Sequence, residues 1–294
     1  MTRNITGYVP LGSRSETISS IKRKGLPPGY GLRETRIASS DNVSVSALIV
    51  QKEQERPSLV LLYLQGNAGN PLHRIPVFST LLDACDSARG GLDVTILAPA
   101  PRSYWLSTNR TPTQRGITDD YLASIRYAIE HWPNSKLVIY GHSLGGSAAV
   151  CLLSKFQKSD PGASNIRGLI IENPFSSIPD MVRAMYPQRW LPYRYLAELA
   201  WDKWNVFSAL ADARTHNSVL HRVTHDMLVL LSEKDEVVPR EMGERIVGAI
   251  SSANGSGSKV KCVVVKGALH ENAWQQLHWS REMVQYLRKI DAQT

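Results

Sequence analysis

The feature that most constrains this chain is a series of short, solidly apolar runs spaced along it. "SLVLLYL" (58–64), "DVTILA" (93–98), "KLVIY" (136–140), "GLIIE" (168–172), "MLVLL" (227–231) and "KCVVV" (261–265) each have the length and composition of a strand. They do not alternate with polar residues, so the sheet they form must be covered on both faces. "VSVSALIV" (43–50) alternates first and then turns solidly apolar, as a strand does on entering a core from an edge. Helical stretches lie between the runs at 74–84, 115–131, 144–157, 239–250 and 273–290. In the second of these, Ile117, Tyr121, Ile125 and Ala128 share one face. Alternation of this kind predicts an α/β protein with a mostly parallel, doubly wound sheet. Its chemistry then belongs at the carboxyl ends of the strands.

A Gly/Pro/Arg-rich leading segment (1–35) precedes the alternation, and 36–294 reads as a single domain. The stretch at about 174–210 breaks the pattern. Rich in Pro and in aromatics (Phe175, Tyr186, Trp190, Tyr193, Tyr195, Trp201, Trp204, Phe207), it reads as a small helical cap inserted between two strands. "SSANGSGS" (251–258) reads as a surface loop.

The formal charge of +8 raises the question of nucleic acid, but the basic residues are scattered and the densest cluster, "IKRKG" at 21–25, is short. No zinc-finger spacing or RNA-binding aromatic signature accompanies them, so no nucleic-acid partner is expected. The charge reads as a solvated surface that favours anionic membranes or substrates. Cys85, Cys151 and Cys262 lie far apart and are odd in number, against a disulfide framework or a zinc site. Cys151 and Cys262 sit in apolar runs and read as small core residues. The first twenty residues hold no apolar signal-peptide core, and no stretch approaches a membrane span. A cytoplasmic protein with at most peripheral membrane contact is expected.

Chemistry enters at "LVIYGHSLGGSAAVCLL" (137–153), where a buried strand turns through Gly141-His142-Ser143-Leu144-Gly145 into a helix of small residues. G-x-S-x-G is weak as a string, so its placement carries the argument. A tight strand-to-helix turn lifts the serine hydroxyl out of the sheet, and bulkier neighbours than glycine would collide there. The Leu144 amide, at a helix N-terminus, is then placed to donate to an oxyanion. A serine hydroxyl needs a base, and the base an orienting carboxylate, in the chain order Ser, acid, His. Asp235 follows a buried strand, with Glu233 and Glu236 as local competitors and Glu172 as a rarer seat. Of eight histidines, His270 is the one in a short loop between a strand and a helix at that edge. His142 flanks the nucleophile and points elsewhere. "YLQGNAGN" (63–70) supplies a glycine-rich turn in which the Asn67 amide is the second oxyanion donor.

With these pieces the chain resembles the α/β-hydrolases, and more narrowly the bud-emergence-type α/β-hydrolase-domain serine hydrolases. The resemblance rests on "GNAGN" (66–70) with His73-Arg74, "GHSLGG" (141–146), "ENPFSSIPDMV" (172–182), "DEVVP" (235–239), "GALHENAW" (267–274) and "PLGSR" (10–14). It implies an α/β-hydrolase fold, nucleophile Ser143, acid Asp235, base His270 and oxyanion amides on Asn67 and Leu144. The chain departs from the family in two places. Gln65 stands where a histidine is usual. "APAPRSYWLST" (98–108) replaces an Arg-Gly-Tyr-Gly-type turn, so Ser103 and Trp105 should fill space beside the nucleophile. Gln65, Trp105, Trp190 and Trp274 are the expected substrate contacts. No metal or cofactor is implied. The expected activity is hydrolysis of an ester or thioester with a hydrophobic, lipid-like acyl group. The alternatives are an acyltransferase, lyase or cyclase using the same site, or a binding protein on the same fold.

Overall fold

The computed structural model describes residues 14–20, 25–53, 56–188, 190, 195–254, 257 and 259–293. Most of "PLGSR", the lysines and arginine of the 21–25 cluster, Tyr193 and part of the 251–258 loop lie outside the described residues. Among the described residues, eight strands form one sheet in the order β1-β2-β4-β3-β5-β6-β7-β8. They are β1 (Tyr30–Ala38), β2 (Ser44–Lys52), β3 (Leu59–Leu64), β4 (Val94–Ala100), β5 (Lys136–His142), β6 (Ile166–Glu172), β7 (Leu228–Ser232) and β8 (Lys261–Val265). β2 runs antiparallel to both β1 and β4, and every other pairing is parallel. All seven apolar runs are strands. β1 is the addition, an edge strand whose residues "YGLRETRIA" are mostly half-buried.

The unbroken apolar character of the strands follows from two cores. Along β3, Leu59, Leu61 and Tyr63 face one core, and Val60, Leu62 and Leu64 face the other. Helices α1 (Ile75–Ser87) and α8 (Leu277–Asp291) cover the first. The second lies under α2 (Gln114–His131), α3 (Leu144–Lys155), α5 (Val206–Thr215), α6 (Val219–Val223) and α7 (Arg240–Asn254). Cys151 is buried, as expected of a core thiol, and Cys85 is buried as well, but Cys262 is exposed, because β8 is the other edge of the sheet. After β6, and before α5 and α6, come α4 (Ile178–Met185) and a short 3-10 turn at Ala197–Leu199. The aromatics of this insert divide: Phe175 and Trp204 are buried, whereas Trp190 and Trp201 are 78% and 100% exposed. Among the described residues no helix is long and apolar enough to cross a membrane.

The loop after β4 is fixed from below by a buried ion pair. Asp120, on α2, accepts from the Arg102 backbone amide at 2.8 Å, from Nε at 2.9 Å and from Nη2 at 2.8 Å. Both side chains are almost fully buried. The fork geometry makes this pair far more directional than a surface ion pair. Removing one partner strands the other charge in the interior. Asp120→Ala should therefore lower the unfolding free energy by about 3–5 kcal/mol in urea titration; a loss under about 1 kcal/mol would show the pair to be incidental.

Candidate active site

The turn from β5 into α3 is the centre of the site. Ser143 sits at φ 53°, ψ −118°, a conformation that costs a non-glycine residue about 1–3 kcal/mol. Its amide donates to the Glu172 carbonyl at 2.8 Å, and its own carbonyl accepts from Gly146 and Ser147, so neighbours on both sides hold the strained residue. The flanking glycines are required by contact. A Cβ on Gly145 would fall on the Leu64 carbonyl oxygen, and one on Gly141 on the Gly145 carbonyl oxygen. Leu144 opens α3, where its amide has no intrahelical acceptor.

The turn after β3 runs alongside. A Cβ on Gly66 would stand 3.3 Å from His142 Nδ1 and 3.5 Å from Ser143 Cβ. Asn67 follows, and the Tyr104 hydroxyl lies 3.2 Å from its carbonyl and 3.1 Å from Oδ1. Gln65, one of the expected substrate contacts, is 2% exposed, and neither atom of its carboxamide has a partner among the described residues. Trp105 is fully buried in the core shared with α1 and α8, and its Nε1 donates to the Glu16 carbonyl at 2.9 Å. Glu16 also accepts from Asn70 Nδ2 at 2.5 Å and pairs with His73 Nε2 at 2.7 Å. Residues 14–20 thereby tie the two loops together. Ser103 and Trp105 keep positive φ, 70° and 42°, so the backbone retains a glycine-like path without glycine. Trp274 is partly buried and donates to the Glu271 carbonyl at 3.1 Å, and Trp190 stands exposed on the insert.

The later loops bring Asp235 and His270 together. His270 Nδ1 lies 2.8 Å and 3.0 Å from the two Asp235 oxygens, with both side chains nearly buried. Asp235 Oδ1 also accepts from the amides of Val237 and Val238. Each competing acid has a different partner. Glu236 accepts from the His270 amide at 3.0 Å, and Glu233 from the Gly267 amide at 2.8 Å. Glu172 accepts from Tyr140 Oη at 2.6 Å and Trp279 Nε1 at 2.8 Å. Burial raises the pKa of Glu172, against the two hydrogen bonds that favour its charge. Backbone contacts join the two halves of the site: His142 Nε2 and Asn173 Nδ2 reach the His270 carbonyl at 2.9 Å and 3.0 Å. Among the described residues the Ser143 hydroxyl makes no hydrogen bond, and such contacts often tighten only with substrate bound.

Sequence reasoning missed the charged surroundings of this cluster. Burial, with the Arg74 guanidinium adding to it, pushes His142 down to about 4. Burial raises Glu271, but its hydrogen bond from Arg74 and the neighbouring His142 override that and hold it at about 2. A cavity of about 630 Å³ lies elsewhere, between α2 and α3, lined by Arg115, Leu122, Arg126, Leu152, Lys155 and Phe156 among others, and it includes none of the site residues.

A family model described as "alpha/beta hydrolase fold" matches residues 60–222, more than half of the chain. The protein Bem46 of Schizosaccharomyces pombe is 29% identical over 250 residues, covering 83% of this chain and 72% of that protein. The lysophosphatidylserine lipase ABHD12 of Danio rerio is 28% identical over 215 residues, 71% of this chain; the chain spans about half, 52%, of that relative's length. Among solved structures, the Pyrococcus furiosus esterase Pf2001 superposes with a TM-score of 0.64 at 17% identity, over 88% of this chain and 90% of that one. Est1E from Butyrivibrio proteoclasticus gives 0.60 at 16% identity, over 88% and 99%. At such identities the structures speak to the fold. The family match, over more than half of the chain, carries the conclusion: the chain belongs to the alpha/beta hydrolase fold family.

Proposed function

We propose that this chain is a serine hydrolase that cleaves a carboxylic ester or thioester of a hydrophobic, lipid-like acyl group. The observation that carries the reading is the Asp235–His270 pair at 2.8 Å, tied through the His270 carbonyl to the strained turn that presents Ser143. His270 takes the Ser143 proton as the oxygen attacks the acyl carbonyl. The amides of Asn67 and Leu144 receive the developing oxyanion, each such donor typically contributing ~3–4 kcal/mol to the transition state. His270 then protonates the leaving alcohol or thiol, and a water activated by the same imidazole releases the acid. Asp235 fixes the tautomer and stabilises the imidazolium. The lipase name of the ABHD12 relatives supports the lipid-like substrate. The exposed Trp190, Tyr195 and Trp201 on the insert, with a net charge of +8, support its role as a cap that makes peripheral contact with an anionic lipid surface.

Gln65 supports a polar contact to the same substrate. A buried amide without a partner costs about 1–3 kcal/mol in the free protein, a cost that a bound hydrogen-bonding group removes.

Wild-type protein should react with a fluorophosphonate probe and hydrolyse p-nitrophenyl acyl esters, and Ser143→Ala should do neither. Labelling of Ser143→Ala at the wild-type rate would refute the assignment. Asp235→Asn should lower kcat by ~10⁴-fold. Glu172→Gln keeps an acceptor for Tyr140 and Trp279 and removes a buried ionisable group. It should leave kcat within about threefold of wild type and the melting temperature equal or higher, the gain growing as pH rises because the raised carboxyl must ionise in the interior. Glu172→Leu, which strands both donors, should cost ~2–4 kcal/mol of stability. If Glu172→Gln instead matched the kinetic loss of Asp235→Asn, the acid would be misassigned. Gln65→Leu should raise stability in thermal denaturation while raising KM several-fold with kcat less affected; an unchanged KM would remove Gln65 from the binding site.

A further inference from the structure

One corner of the site groups donor atoms that acyl transfer leaves unused, on His142 and Glu271, with one that it uses, on His270. His142 is 3% exposed, and its Nε2 lies 2.9 Å from the His270 carbonyl. A carbonyl only accepts, so Nε2 carries the proton and Nδ1 holds a lone pair. That Nδ1 is buried and has no hydrogen-bond partner among the described residues. By the same reasoning His270, whose Nδ1 faces the Asp235 carboxylate, holds its lone pair on Nε2. The two rings lie side by side, centroids 4.9 Å apart and tilted by 56°. Glu271 follows His270 in the chain. Arg74 binds its Oε2, and Oε1 has no partner among the described residues. One ring nitrogen from each histidine and one Glu271 oxygen all lie within 4.8 Å of one another.

Two neutral imidazoles and a carboxylate are a donor set suited to zinc, and they match the three protein ligands of sites that keep a fourth position for solvent. We propose that His142, His270 and Glu271 form an inhibitory site for Zn²⁺, or a similar borderline divalent cation, that takes the base out of service. A tetrahedral zinc with bonds near 2.0–2.1 Å places its ligand atoms roughly 3.3 Å apart, so the cluster must tighten. The Glu271 side chain, 51% exposed, is the arm that must swing inward from Arg74 and also the side from which the ion arrives. The Arg74 charge opposes the ion, and the carboxylates of Glu271 and of Asp235, behind His270, offset it. An ion on His270 Nε2 occupies the lone pair that would otherwise accept the Ser143 proton. The inhibition therefore rests on the proposed role of His270, whereas the binding does not.

The test is a titration of metal-stripped protein with Zn²⁺ against a chromophoric chelator, using wild type, Ser143→Ala, Glu271→Gln and His142→Asn. Wild type and Ser143→Ala should take up one ion with matching affinity, and each ligand variant should bind it at least about tenfold more weakly. Glu271→Gln changes an exposed side chain, so a folding failure of His142→Asn would not blunt the comparison. Equal affinity and stoichiometry in all four proteins would place the ion elsewhere, for example on the adjacent His221 and His225, and overturn the site. So would the absence of saturable uptake. Fluorophosphonate labelling supplies the second arm. Zinc should slow labelling of wild type at least tenfold and of Glu271→Gln much less. Site-dependent binding with undiminished labelling would overturn the inhibition, and a wild type that never labels would sink the hydrolase reading while leaving the metal site intact.

Discussion

The first turn of α3 lies so close to the ends of β3 and β5 that backbone meets backbone. Gly145 packs under the Leu64 carbonyl, Gly141 against the Gly145 carbonyl, and neither contact leaves room for a Cβ. Ser143, between them, takes up the positive φ that the bend imposes. The strain persists because the surrounding hydrogen bonds over-determine it: the Glu172 carbonyl holds the serine amide, and the first turn of the helix holds its carbonyl. The rest of α3 obeys the same packing. Its residues "LGGSAAVCLLS" are buried throughout, and their small size lets the helix lie against the sheet between α2 and α5. A larger residue early in this helix would push it off the sheet and carry the serine with it.

The polar contacts that shape the site lie one layer behind it. Arg102 and Asp120 fix the loop after β4, Tyr104 from that loop reaches Asn67, and Glu16 ties the same loop to Asn70 and His73. The two residues that stand where the family carries glycine keep glycine-like torsions through local compensation. Trp105 buries its ring and donates to Glu16, and the Ser103 hydroxyl bonds across the loop to Arg110. The tryptophan therefore acts on the site chiefly through the loop it anchors, which is why its size alone was a poor guide to where it would point.

Strands buried on both faces are legible in a sequence because nearly every residue must be apolar, and all seven apolar runs lie in strands. β1 escaped notice for the opposite reason. It is an edge strand with Arg33, Glu34 and Arg36 among its residues, and only its pairing with β2 makes it a strand. Cys262 was misplaced because an apolar run does not tell an edge strand from a central one. At the site, chain order and loop position point to Asp235 and His270, and the contact between the two is a consequence of parallel strands ending on one edge. The pairing of Arg74 with Glu271 spans nearly two hundred residues. No local pattern encodes such a contact, and with it went the electrostatics of His142.

Four carboxyl groups are candidates for the acid beside one imidazole, and hydrogen-bond capacity separates their roles. Glu233 and Glu236 each accept from a backbone amide and so shape the loop that carries His270. Glu172 lies deepest. A phenol and an indole occupy one of its oxygens, and burial favours its neutral form, so it is built as a fixed post between β5, β6 and α8. A carboxyl tied in that way lacks the freedom to follow an imidazole through a proton transfer. Asp235 differs in how it is held. Two backbone amides hold one of its oxygens from behind, and both oxygens face Nδ1. The acid that orients a base must be held by the backbone and left open toward the ring, and of the four only Asp235 meets both conditions.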